Sequence, residues 1–296
     1  MTPKRRRLSI SFSGGKTSAF MANHCLTKRR GDWDEIVVVF ANTGQEHEKT
    51  LEYIHACDKQ YGLNVVWLEA VVNPEEGQGT KHRVVTFETA ARGGEPFESV
   101  VKKYGLPNQA YQHCNREMKL SPMNSYLKSL KWENGDHQVA VGIRADEMDR
   151  VSSASMAKGV FYPLIDAGVI KADVLAWEAA QPVRLGIPEH YGNCVWCWKK
   201  SFRKLATVAR ETPHVFQFPA YLEARYANVK TANKNRRMFR KHQQVADIFA
   251  LARDPTLASF VDTFDYGFDS VDMGAACGES CEIGTDGVDE VLPEII

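Results

Sequence analysis

Apolar positions in the first part of the chain come in short bursts. Leu8, Ile10 and Phe12 form a short buried strand, and Ser13-Gly14-Gly15 after them is too small and flexible to continue it. Thr17 to Cys25 then carries helix-compatible residues, and Lys28-Arg29-Arg30-Gly31 puts positive charge at a helix end. Glu35 to Phe40 (EIVVVF) is a continuous apolar run, the pattern of a strand buried on both faces of a parallel sheet. His47 to Tyr61 has helical spacing with Leu51, Ile54 and Cys57 on one side, which places Cys57 in the core. Asn64 to Glu69 (NVVWLE) reads as a third strand. Two β-α-β units in about seventy residues predict a doubly wound, mainly parallel, Rossmann-like α/β sheet.

The pattern then loosens. Val72 to Glu95 is rich in Gly, Pro and charge, holds Lys81, His82 and Arg83, and reads as a long loop, either a substrate lid or a surface insertion. Pro96 to Tyr104 is a short helix ended by Gly105, and His113 to Lys119 leads into a helix through Leu127. His137 to Ile143 and Phe161 to Ile165 are two further strands. From Lys171 the texture becomes helical: Lys171 to Gln181, a loop over Pro182 to Tyr191, then helical segments from about Lys200 to Arg253. Residues 1–170 are therefore expected to form an α/β domain and 171–296 a helical, cysteine-containing extension with an acidic tail.

Charge changes this picture in one region. The chain has 296 residues and as many Lys and Arg as Asp and Glu, so its overall balance does not point to nucleic acid. Lys230 to Lys241 is nevertheless a strongly basic segment read as a helix, suited to the phosphates of a nucleic-acid substrate or to neutralisation by an acidic tail. After Arg253 there is no Lys or Arg, and Asp254 to Ile296 is acidic. No apolar run approaches a membrane span, and the basic Met1 to Arg7 lacks an apolar segment behind it, so a cytoplasmic location is the default expectation. The seven cysteines are too few and too irregular for a disulfide scaffold and suggest metal binding or catalysis.

The chemistry begins at the first glycine turn. A glycine turn entering a helix leaves backbone N–H groups pointing outward at the positive end of the helix dipole, which favours phosphate. Lys16 and the hydroxyls of Ser11, Ser13, Thr17 and Ser18 add charge and hydrogen bonds. Gly15-Lys16-Thr17 looks like the end of a Walker-type P-loop, but that pattern requires glycine where this chain has Ile10. The loop Asn42-Thr43-Gly44 follows the second strand, at the edge where open α/β sheets bind ligands. Gly142, Arg144, Asp146, Glu147 and Arg150 follow a later strand at the same edge, where an arginine can hold a phosphate or sulfate bidentately and the carboxylates can carry Mg²⁺. Cys194-x-x-Cys197 has metal-ligand or redox spacing, and Cys277 and Cys281 sit in the acidic tail.

The short Ser13-Gly14-Gly15-Lys16-x-Ser18 form resembles the PP-loop of the adenine-nucleotide α-hydrolase superfamily. Together with Asn42-Thr43-Gly44, Cys114-x-x-Glu117-x-Lys119-x-x-Pro122 and Gly142-x-Arg144-Ala145-Asp146-Glu147, in that order, it resembles the phosphoadenosine-phosphosulfate reductase family. The resemblance covers roughly residues 8 to 200. It implies an adenine nucleotide, ATP or a sulfonucleotide, with phosphates at Ser13, Gly14, Gly15, Lys16 and Ser18, adenine or ribose near Asn42 and Thr43, and Lys16 and Arg144 in catalytic roles. Similarity to the adenylylsulfate-reductase branch implies a [4Fe–4S] cluster on Cys114, Cys194 and Cys197. His113 stands where that branch has a second adjacent cysteine, so the fourth ligand falls to Cys281, Cys277 or His113. Zinc suits the same thiolates on spacing alone.

Two activities follow from the resemblance. One is AMP-forming activation of a substrate oxygen followed by sulfur transfer from a sulfur donor, in the manner of enzymes that sulfur-modify DNA or tRNA. The other is reduction of adenylyl sulfate or its 3′-phosphorylated form by Cys277 or Cys281, with a thioredoxin-like partner releasing sulfite. Thr17, where ATP pyrophosphatases of the superfamily carry Asp, keeps both open, and a non-catalytic nucleotide- or nucleic-acid-binding module is the reading from a different class.

Overall fold

The computed structural model describes residues 5–262 apart from 134, 152 and 232–234. Strand β1 (Arg7–Ser11) enters helix α1 (Lys16–Lys28), β2 (Glu35–Asn42) enters α2 (Glu48–Tyr61), and β3 (Val65–Val71) follows. Next come β4 (Lys81–Val85), α3 (Glu95–Tyr104), the single turn α4 (His113–Asn115), a π-helical turn over Arg116–Leu120, and α5 (Ser121–Ser129). Then β5 (Gln138–Ala140), α6 (Ser153–Ala157), β6 (Val160–Phe161), α7 (Pro163–Asp166) and α8 (Lys171–Ala179) lead to the helices α9 (Phe202–Glu211), α10 (Gln217–Tyr226) and α11 (Val245–Arg253).

The sheet has six strands in the order β4-β3-β2-β1-β5-β6. All neighbours run parallel except β3 and β4. The chain moves outward from β1 through β2 to β3, then returns to the other side of β1 with β5. That reversal makes the carboxyl end of β1 the switch point where such sheets open a crevice. Leu8 and Ile10 on β1 are fully buried, as a central strand covered on both faces requires. One hydrophobic cluster runs from Leu8 and Ile10 through Leu164 and Trp196 to Leu205 and Ile248, so elements on both sides of residue 170 share it.

Three local expectations are corrected. The stretch read as a loop over Val72 to Glu95 contains β4, whose polar Lys81-His82-Arg83 hides the strand pattern. This edge strand is held by its ladder to β3 and by Arg83 on the buried Glu69. The strand expected over Phe161 to Ile165 is short, because Pro163 opens α7. The described residues of Lys230–Lys241 are not a helix: Lys230, Asn235 and Lys241 have φ of 49°, 81° and 52°. Arg236 is drawn inward, donating to the carbonyls of Tyr104 and Leu106 at 3.0 and 3.3 Å, and buried carbonyls win its guanidinium over a solvated helix face.

Candidate active site

The turn after β1 is shaped by Gly14, whose φ is +79°. A Cβ there would stand 2.7 Å from Ile54 Cδ1 and 2.8 Å from Thr50 Cγ2, so α2 packs directly on the turn. Gly15 is the N-cap of α1 and supplies no side-chain cap, which leaves the first-turn N–H groups facing outward. Ser18 is fully buried and donates to Gly15 O at 2.9 Å, while Ser13 Oγ donates to Ser18 Oγ at 3.1 Å. Ser11 and Ser13 open onto a cleft of about 420 Å³ that is also lined by Phe40, Ala41, Glu46, Lys119, Met123 and Asn193. Lys16 Nζ lies 3.5 Å from Glu178 Oε2 on α8.

The other sequence candidates have distinct places. Asn42 is fully buried, and its amide donates to Glu69 Oε1 at 2.7 Å and to Ala91 O at 2.9 Å. Thr43 Oγ1 donates to Glu46 Oε1 at 2.7 Å and lies 3.3 Å from Cys194 Sγ. Gly142 passes the first turn of α1, where a Cβ would meet Thr17 and Ser18 at 3.7 Å. Arg144 donates to Thr17 Oγ1 at 3.1 Å and to Asp146 at 3.0 Å, and it pairs with Glu147 at 3.4 Å. Asp146 also accepts the Lys171 N–H, and Glu147 pairs with Arg150. The hydroxyl of Thr17, where a carboxylate was expected for ATP chemistry, is thus an acceptor for Arg144. The carboxylates considered for Mg²⁺ already face arginine.

The cysteines meet. Cys114, Cys194 and Cys197 line one cleft of about 380 Å³, walled by Phe97, Met118, Trp196 and Trp198. Cys114 arrives on α4, and the helix then widens into the π turn, with the Ser121 N–H bonded to Arg116 O. Pro122 accounts for the widening, since it has no N–H for the carbonyl four residues back and its ring crowds that carbonyl. The π turn delivers Lys119 to the wall of both clefts. Cys194 and Cys197 form a knuckle docked on the loop after β2. Glu46 and Cys194 make a β-bridge, Val195 N–H donates to Gln45 O at 3.0 Å, and Trp196 Nε1 donates to Gln45 Oε1 at 2.6 Å. Lys200 ties the knuckle from behind through the carbonyls of His190 and Val195 at 2.6 and 2.7 Å. Burial pushes the Cys194 thiol up to about 12, with Glu46 adding to the effect.

His113 does not join the cluster. Its Nε2 bonds to Gly105 O at 2.9 Å, and burial lowers its pKa to about 4, which keeps it neutral. Cys277 and Cys281 lie outside the described residues. Of the basic segment, Lys230 pairs with Glu76 and Arg236 is buried over the Tyr111 ring, while Lys241 is exposed; Lys234 is outside the described residues. Among the described residues no three His, Cys, Asp or Glu side chains converge on a single-ion site. Sequence reasoning left Glu46, Glu178, Asn193 and Phe97 out of the site. Only Asn193, next to Cys194, had a neighbour that could have flagged it. Lys119 lay inside a quoted motif without an assigned role.

Comparison with known proteins places this geometry. The chain is 35% identical over 205 residues to an uncharacterized nin region protein, ORF290, of Escherichia phage lambda, covering 68% of this chain and 69% of that one. It is 29% identical over 131 residues to an uncharacterized protein of Methanocaldococcus jannaschii, covering 43% of this chain but only 24% of the relative. The crystal structure of phosphoadenylyl-sulfate (PAPS) reductase from Candida auris, a phosphate complex, aligns with a TM-score of 0.34 at 17% identity over 60% of this chain and 74% of that chain. No helix among the described residues is long and apolar enough to cross a membrane. The model of the phosphoadenosine phosphosulfate reductase domain matches residues 7–158, and with its PP-loop turn at the switch point of a parallel sheet the chain belongs to that family.

Proposed function

We propose that this protein is an adenine-nucleotide-dependent enzyme of sulfur metabolism that binds ATP at the PP-loop, adenylates an oxygen of its substrate with release of pyrophosphate, and lets sulfide-level sulfur from a separate donor displace that oxygen as AMP. The observation that carries the reading is the pair of adjoining clefts: Lys119 and Asn193 line both, with PP-loop serines in one and three cysteines in the other. The loop amides, Ser11, Ser13 and Lys16 are suited to the phosphate chain. Lys16 would take up charge on the departing pyrophosphate. Mg²⁺ at the Arg144 edge would have to draw Asp146 or Glu147 away from that guanidinium.

The cysteine cleft fits an iron–sulfur cluster. Its donors are soft thiols and its walls are largely aromatic and apolar, a setting that suits iron–sulfur ligation, while zinc would use the same thiolates. Cys114, Cys194 and Cys197 would hold the group, with Cys281 or Cys277 as the fourth ligand. When bound, a [4Fe–4S] cluster supplies a centre that accepts sulfur or electrons. The chain's own contribution is to keep water off that centre with Phe97, Trp196 and Trp198 and to set it beside the nucleotide cleft.

A second reading is favoured by the family match itself: reduction of adenylyl sulfate or its 3′-phosphorylated form, with sulfite released by a thioredoxin-like donor. The two are separated by incubating anaerobically purified protein with ATP and with each sulfonucleotide. Pyrophosphate release without sulfite supports adenylation. Dithiol-dependent sulfite release that disappears in Cys277→Ser or Cys281→Ser selects reduction. Salt-sensitive nucleic-acid binding with no nucleotide turnover selects a binding module. Iron and sulfide content of the same preparation tests the cluster, and a colourless protein with stoichiometric zinc would sink it.

A further inference from the structure

The PP-loop lysine is already occupied by a carboxylate from outside the family-matched region. Lys16 is the first residue of α1, and its Nζ lies 3.5 Å from Glu178 Oε2 near the end of α8. Glu178 is not a surface residue that happened to swing in. It is 8% exposed, its Oε1 accepts the Leu185 N–H at 3.0 Å, and α8 is braced against the nucleotide-binding layer. Trp177 packs edge-on against Phe20 of α1 at 5.3 Å and beside Tyr61 of α2 at 5.7 Å, and the Tyr61 hydroxyl donates to Gln181 at 3.2 Å. Burial pushes the Tyr53 and Tyr61 hydroxyls and the Cys57 thiol up, and the nearby charge of Glu178 adds a lesser push to each.

An anion fixed beside a phosphate-binding lysine has a definite effect. It offsets the lysine's charge in the empty site, and it repels phosphate in a partly buried setting where like charges interact strongly. We infer that Glu178 is a built-in competitor for Lys16, which a polyphosphate must displace, and that it thereby sets how steeply the site discriminates among ligands by phosphate charge. The inference rests on the PP-loop being the nucleotide site. It differs from a bracing role in one respect: removing the charge should strengthen binding, and most for the ligand carrying most charge.

The test compares wild type, Glu178→Gln and Glu178→Asp by calorimetric titration with ATP, AMP and inorganic tripolyphosphate at one fixed ionic strength. Gln keeps the acceptor for the Leu185 N–H and nearly the same volume, which favours folding of the variant. Expected is ~10-fold tighter binding of ATP and tripolyphosphate in Glu178→Gln, and less than about twofold for AMP, with Glu178→Asp between. Equal or weaker ATP binding in a folded Glu178→Gln protein, or the same gain for AMP as for ATP, overturns the inference while leaving the nucleotide reading standing. Wild type that binds tripolyphosphate but neither nucleotide removes the adenine reading; the competitor is then supported by tighter tripolyphosphate binding in Glu178→Gln and overturned by equal or weaker binding. Wild type that binds none of the three overturns both. Should Glu178→Gln fail to fold, Glu178→Asp decides: tighter ATP binding supports the competitor and unchanged or weaker binding overturns it.

Discussion

Gly14 shows how much of the phosphate loop is steric. Its φ of +79° costs a residue with a Cβ roughly 1–2 kcal/mol, and that Cβ would press on Ile54 and Thr50 at under 3 Å. Ile54 can yield at its tip, but Thr50 is branched at Cβ and held in α2. Gly14→Ala is therefore expected to lower stability by about 2–4 kcal/mol and to weaken nucleotide binding by moving α2 off the turn. Denaturant unfolding and nucleotide titration check the two effects separately. Unchanged stability would mean the turn relaxes freely. This residue was legible in the sequence because a Ser-Gly-Gly turn between a strand and a helix has few other uses. Asn42 was not. A buried carboxylate, Glu69, accepts from its amide, and nothing local to Asn42 announces a residue 27 positions away.

Elements were legible where burial alone decides them. The run Glu35 to Phe40 and the stripe Leu51, Ile54, Cys57 have no alternative to β2 and α2, because a chain with those periods can hide its apolar groups in one way only. Elements held by polar tertiary contacts were not: β4 is fixed by Arg83 on Glu69, and the segment near Arg236 by carbonyls of another element. The junction of α10 and α11 belongs to this second kind and has a pH signature. Glu223 on α10 accepts the Val245 N–H at the start of α11 at 3.0 Å. Burial pushes its carboxyl up to about 7 against the pull of the Val245 N–H and Arg237, from 4.5 in an ordinary setting. Below 4.5 both folded and unfolded chains hold the proton. Above that the unfolded chain releases it first, so this contribution to stability is present at low pH and lost as pH rises through about 7. Glu223→Gln, which cannot ionise, is expected to match wild type at pH 4 and exceed it by about 1–3 kcal/mol at pH 8. Urea unfolding at the two pH values measures it, and an equal difference at both would rule the titration out.

At the scale of the molecule, the two clefts are one construction. The end of β2 and the loop after it contribute Ala41 and Glu46 to the cleft of Ser11 and Ser13 and Thr43 to the cysteine cleft, and through Gln45 the loop anchors the knuckle that carries Cys194 and Cys197. The sequence displayed the two halves as separate motifs about 150 positions apart. What joins them is a side-chain amide and a β-bridge, for which no motif exists. Gln45 accepts from the indole N–H of Trp196, a residue 1% exposed that also packs against Phe97 at 5.0 Å. Gln45→Ala leaves that N–H buried without its acceptor, a loss of about 1–3 kcal/mol, and loosens the knuckle without touching Ser13, Gly14 or Lys16. The variant should therefore keep nucleotide affinity within about twofold and, on the cluster reading, hold markedly less iron than wild type after anaerobic purification, the outcome expected also of Cys194→Ser. Loss of nucleotide binding together with iron would mean that the nucleotide cleft depends on the knuckle for its shape. Full retention of iron would mean that Lys200, gripping His190 and Val195 from behind, holds the knuckle without help from the sheet edge.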